Sequence, residues 1–100
     1  MTSAEQPLSP EKAQTMNLRE ILTNYSDGDG IGWSAEFAYL RTFHAKKIAD
    51  ITASVAREGF KEPIFLGYDG RVWDGHHRLA VAEALDWREL PVLHGTEADA

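Results

Sequence analysis

The chain has 100 residues, no cysteine, ten basic against sixteen acidic side chains, and a formal net charge of −6. That size fits one domain, while the missing cysteines exclude a disulfide scaffold, a thiol nucleophile and a cysteine-ligated metal. Residues 1–40 carry two basic against six acidic side chains, residues 41–78 seven against five, and residues 79–100 one against five, so a broad basic face for DNA is excluded but a local site for one phosphate-bearing ligand is not.

Residues 1–8 read as a short disordered lead, and the polar start Met1-Thr2-Ser3-Ala4-Glu5-Gln6-Pro7 has no secretory pattern. No apolar run approaches the roughly 18 residues of a membrane span, so a cytoplasmic protein with no membrane contact is the expectation. Ser9-Pro10-Glu11 predicts a helix start, with serine as cap and proline in the first turn. Leu18, Ile21, Leu22 and Tyr25 continue it at helical spacing to about residue 25. Ser26-Asp27-Gly28-Asp29-Gly30-Ile31-Gly32 is read as a solvated hinge. Ser34 is expected to cap a short helix that turns Phe37 and Leu40 inward. A longer helix over about 44–58, with Ile48, Ile51, Thr52 and Val55 on its buried stripe, ends at Gly59.

The pattern then changes. Pro63-Ile64-Phe65-Leu66-Gly67 is a strand entered through proline, Asp69-Gly70 a hairpin turn, and Arg71-Val72-Trp73 the returning strand. Asp74-Gly75 stops that strand. Residues 76–86 predict a helix with Leu79, Ala82 and Leu85 on one face, and Leu90-Pro91-Val92-Leu93 a last strand. The expected fold is a single α+β domain, a small mixed sheet packed with helices. Residues 9–43 form its helical N-terminal extension, 44–95 the main body and 96–100 a tail.

The densest chemistry is Val72-Trp73-Asp74-Gly75-His76-His77-Arg78. A strand ends, a glycine allows a sharp turn, and a helix begins. A helix N-terminus offers unpaired N–H groups and the positive end of the dipole. Two imidazoles and a guanidinium stand on it here, and arginine can grip a phosphate with two parallel bonds.

Gly59-Phe60-Lys61-Glu62-Pro63-Ile64, Asp69-Gly70, Asp74-Gly75-His76-His77-Arg78-Leu79-Ala80 and Leu90-Pro91-Val92 together resemble the ParB/sulfiredoxin superfamily over about 44–94. That group holds the N-terminal domain of the partition protein ParB, ParB-like nucleases, sulfiredoxin and ADP-dependent free-serine kinases. In sulfiredoxin the turn reads Gly-Cys-His-Arg, so the resemblance implies phosphate contacts at His77 and Arg78. His76 stands where the cysteine would be, which excludes sulfiredoxin chemistry. Gly75 and Arg78 also match the Gly-Glu-Arg-Arg turn of ParB. The Asp-Gly-His-His-Arg string is closest to the serine-kinase branch, and that likeness implies a place at the reaction centre for Asp74. The implied catalytic residues are Asp74 and His76. The implied phosphate-binding residues are Gly75, His77, Arg78 and Lys61. Asp74 would hold Mg²⁺ together with the phosphates of a nucleotide.

Other constellations weigh less. His76 and His77 are adjacent and cannot share a helix face as an i, i+4 pair would, so no zincin spacing exists among His44, His76, His77 and His94. A calcium loop starting at Asp27 fails at Ile31 and Ala38, where oxygen ligands are needed. Trp73 borders the turn, whereas Trp33 and Trp87 read as core. Arg41, Lys46 and Lys47 read as a solvated face.

Three functions follow as alternatives. The first is binding of a nucleotide or other phosphate-bearing ligand at 74–78, with phosphotransfer or nucleotide hydrolysis. The second is a metal-dependent ParB-like nuclease or DNA-binding protein, which the acidic total disfavours. The third is a non-catalytic module of the phage or mobile-element kind, with residues 10–43 serving a homodimer or protein partner.

Overall fold

A computed structural model describes residues 14–99, and these form a single α+β domain. In chain order the elements are β1 (Gln14–Asn17), α1 (Leu18–Asn24), α2 (Trp33–Phe43), α3 (Ala45–Glu58), β2 (Ile64–Leu66), β3 (Val72–Asp74), α4 (His76–Leu85) and β4 (Glu89–His94). The predicted lead at 1–8 and the helix start at Ser9-Pro10-Glu11 lie outside the described residues.

Where residues 14–17 were expected to be helical, they form an edge strand. They pair antiparallel with β4, from Gln14 opposite Val92 to Asn17 opposite Glu89. The helix starts only at Leu18, because the Asn17 side chain accepts a hydrogen bond from the Arg19 amide at 2.9 Å and caps it there. Ile21 is then fully buried, and Leu18, Leu22 and Tyr25 pack against the same core.

The sheet order is β1-β4-β2-β3. β2 and β3 form the antiparallel hairpin, while β4 runs parallel to β2 and antiparallel to β1. Parallel neighbours need a crossover, and β3 with α4 supplies it. Alternate residues of the strands turn to one face: Ile64 and Leu66, Leu90 and Val92 are fully buried there. Leu79, Ala80 and Ala82 of α4 meet them, with Ile21, Phe37 and Leu40 completing one cluster. Residues on both sides of position 44 therefore share one core. Burying each large aliphatic side chain contributes about 1.5–3 kcal/mol, so this cluster fixes where α4 begins. Leu85, expected inside, is 43% exposed, because the helix unwinds at Asp86 in the left-handed conformation just beyond it. The first turn of α2 carries no side-chain cap, and Gly32 stands where Ser34 was expected.

The hairpin tip is locked by Asp69. Its Oδ1 accepts from the Arg71 amide (3.2 Å) and from Trp73 Nε1 (3.1 Å), and its Oδ2 from Arg71 Nε (2.8 Å). Arg71 holds the Asp69 carboxyl below the usual carboxylate range. Trp73 sits tight against Gly67 and Gly95, with no room for a side chain at either. The rings of Phe65 and Tyr68 stand perpendicular to its ring, each with centroids 5.6 Å away. On the outer side of β3, Ser26 exchanges backbone hydrogen bonds with Gly70 and Val72, at 2.9 and 3.0 Å.

Candidate functional site

β3 ends at Asp74 and α4 begins at His76, with Gly75 between them at φ +117°. A Cβ on Gly75 would stand 2.8 Å from Ile64 Cδ1 and 3.4 Å from Ile64 Cα. The glycine is thus required by the turn's packing onto β2, a reason the motif alone did not give. No side chain caps α4, so its first-turn amides, which lack intrahelical partners in any helix, remain available to an anion.

Arg78 is the best-connected residue of the turn. Its Nη1 donates to Glu62 Oε1 and its Nη2 to the Pro63 carbonyl, both at 3.2 Å, and Nη2 also lies 3.6 Å from Asp74 Oδ2. Its Nε is buried without a partner. The guanidinium therefore ties the entry of β2 to the exit of β3. The Arg78 side chain is only 20% exposed, whereas Glu62 and Asp74 are 78% and 77% exposed. Solvent-exposed ion pairs contribute about 0–1 kcal/mol, so both carboxylates can give way to a stronger anion while the Pro63 contact stays.

Beside Arg78 lies a hollow of about 220 Å³, lined in part by Ser54, Glu58, Lys61 and Glu62. Lys61 and Arg78, 17 positions apart in sequence, thus face one space. Lys61 is paired with Glu58 at 3.6 Å, again with both groups exposed. The space is below the ~300–1,000 Å³ of whole-ligand pockets; it suits a phosphate group, with the rest of the ligand outside.

The two histidines diverge. His77 Nε2 lies 2.7 Å from Nδ1 of His44, at the junction of α2 and α3. Burial, then the charges of Lys47, His44, His76 and Arg78, push the proton affinity of His77 below the usual histidine value. His76 turns the other way. Its Nε2 donates to the Asp27 carbonyl at 2.8 Å and its ring leans on Trp33 at 5.5 Å. No hydrogen bond joins it to Asp74 among the described residues, so the structure does not assemble these two as an acid–base pair.

The segment 26–32 is exposed as expected, except at Asp27. Asp27 is 3% exposed. Its Oδ1 accepts from the amides of Asp29 and Gly30, each at 3.0 Å, and its Oδ2 is buried without a partner. Glu36 on α2 is 7% exposed. Burial raises its carboxyl above the usual range; nearby His76 opposes this, and Asp29 and Asp27 reinforce it.

A roomier cleft, about 570 Å³, lies elsewhere, between the start of α1 and the α4–β4 connection, and contains none of the predicted site residues. Volume alone carries no chemistry, whereas Lys61 and Arg78 bring two cations to one small space. Among the described residues, no group of three ligating side chains is arranged around a single metal position. No described helix is long and apolar enough to cross a membrane. Compared with protein-family models, with curated proteins and with solved structures, the chain matches none.

Sequence reasoning missed two members of this neighbourhood, His44 and Glu36. Spacing could not have pointed to His44. Glu62 stood beside Lys61 in the segment that carries the family resemblance, without a role of its own.

Proposed function

We propose that the protein binds the phosphate group of a small ligand, a nucleotide foremost, at the N-terminus of α4. The observation that carries this reading is the convergence of Lys61 and Arg78, the latter in the first turn of an uncapped helix, on one small hollow. A phosphate there would accept from first-turn amides and from the Arg78 fork. It would take over the charge now answered by Glu62 and Asp74. Asp74 is a single exposed carboxylate at the strand end. It suits a Mg²⁺ ion held jointly with phosphate oxygens, since Mg²⁺ commonly keeps several waters and few protein ligands. With that ion bound, the group supplies charge neutralisation for phosphoryl transfer, and this chain's own part is to orient the phosphate. The net charge of −6 argues against a long nucleic acid as the ligand.

The test is calorimetric titration of wild type, Lys61→Ala and Arg78→Lys with ATP, ADP and CTP, with and without Mg²⁺. We expect binding in wild type that weakens about tenfold or more in both variants, with lysine unable to reproduce the fork. No binding in wild type across the panel sinks the reading.

A further inference from the structure

His44 and His77 meet in an unusual way. The ring centroids are 5.0 Å apart with an interplanar angle of 11°, and the facing nitrogens are 2.7 Å apart. The centroid separation matches the nitrogen gap plus the two ring radii. The rings are therefore nearly coplanar and point at each other nitrogen to nitrogen, not face over face. Two imidazole nitrogens in that arrangement hold one hydrogen between them: one donates, the other accepts through its lone pair.

We propose that His44 and His77 form a single proton-sharing unit, a pH-sensitive latch that closes the start of α3 onto the first turn of α4 and opens when both rings are charged. The neutral pair has one N–H between the rings. A first added proton goes to an outer nitrogen and leaves the shared bond in place. A second would put N–H against N–H, and the contact must break. The surroundings strengthen this second-step penalty. Lys47 of α3 and His76 and Arg78 of α4 all raise the positive potential at His77. From α2 the facing group is the Tyr39 ring, edge-on to His44 at 5.8 Å, which adds no compensating negative charge. His44 is exposed and sits at the break between two helices; its backbone stays bonded to Leu40 and Ile48, and it is the side chain that is released once the bond is lost. Acidification thus releases the His44 side chain from His77, while Phe37, Leu40 and the Arg41–Glu83 pair keep α2 on α4, whether or not a phosphate ligand binds nearby.

Nitrogen-15 NMR of the imidazole rings from pH 4 to 9 tests the latch in wild type, His44→Gln and His77→Gln. Strongly coupled sites titrate as a pair. We expect both wild-type rings to report both steps, separated by about one pH unit or more. In His44→Gln, His77 should collapse to one step at a higher pH than the lower wild-type step. If each wild-type ring follows its own single curve, unchanged in the partner variant, the latch does not exist. The wild-type curves alone decide the matter should either variant fold poorly. Nucleotide binding is not read in this experiment, so failure of the phosphate reading leaves its outcome intact.

Discussion

Replacing Gly75 with alanine separates a packing role from a ligand role at the heart of the turn. The backbone there stands at φ +117°, where a side chain is strained, and the new Cβ would press on Ile64, a fully buried residue of β2. A residue held in so sparsely populated a conformation costs about 1–3 kcal/mol. Overpacking a well-filled core adds about 1–3 kcal/mol, for a combined loss of about 2–6 kcal/mol. Small domains have about 5–15 kcal/mol in all, so Gly75→Ala should fold only marginally. Gly70→Ala is the matched control: its φ is +84°, but a Cβ there meets nothing within 4 Å. It carries strain without overpacking, and the difference between the two variants isolates the contact with Ile64. Urea denaturation of wild type and both variants measures this. Should Gly75→Ala lose no more stability than Gly70→Ala, the packing account of the turn is wrong and glycine is there for another reason.

Two further outcomes follow from the ionisable groups. Glu36 binds its proton more tightly folded than unfolded. Its stabilising contribution is complete below the unfolded value of about 4.5 and is lost as pH rises through the folded value. At pH 7 that contribution is diminished and burial of the carboxyl is a liability, so Glu36→Gln should raise Tm there, with the gain disappearing near pH 4; a lower Tm at pH 7 would count against this. At the turn, Glu62→Gln removes one exposed competitor for Arg78. An exposed pair is worth about 0.2–1 kcal/mol, so affinity for ATP should rise about 1.5- to 5-fold by calorimetry. A fall instead would mean that Glu62 helps bind the ligand or holds Arg78 in its binding position.

The parts of the fold that could be read from sequence are those with strong local punctuation. Pro63, Asp69-Gly70 and Asp74-Gly75 bracket two strands and a helix start, and these appear within a residue or two of their expected places. α3 was legible from its apolar spacing and from Gly59 at its end. β1 was not, because Gln14-Thr15-Met16-Asn17 has no apolar alternation. Its strand conformation comes from pairing with β4, a tertiary decision that local propensity cannot anticipate. Of the site, Asp74 to Arg78 stood out as a motif, but the directions of its side chains did not. Nothing in two adjacent histidines says that one will reach Asp27 and the other His44. The burial of Asp27 was hidden for a similar reason: an Asp-Gly string reads the same whether the aspartate caps a loop in solvent or inside the protein.

The indole of Trp73 rests on two glycines from separate parts of the chain, Gly67 in the hairpin and Gly95 just after β4. This makes the three positions one unit of inheritance. A side chain gained at 67 or 95 would evict the ring, and a small residue at 73 would leave both glycines without a reason to be glycine. In any lineage descending from such a chain, the trio should change together or stay as it is, and a substitution at one member alone would mark a branch in which the hairpin has shifted against the end of β4.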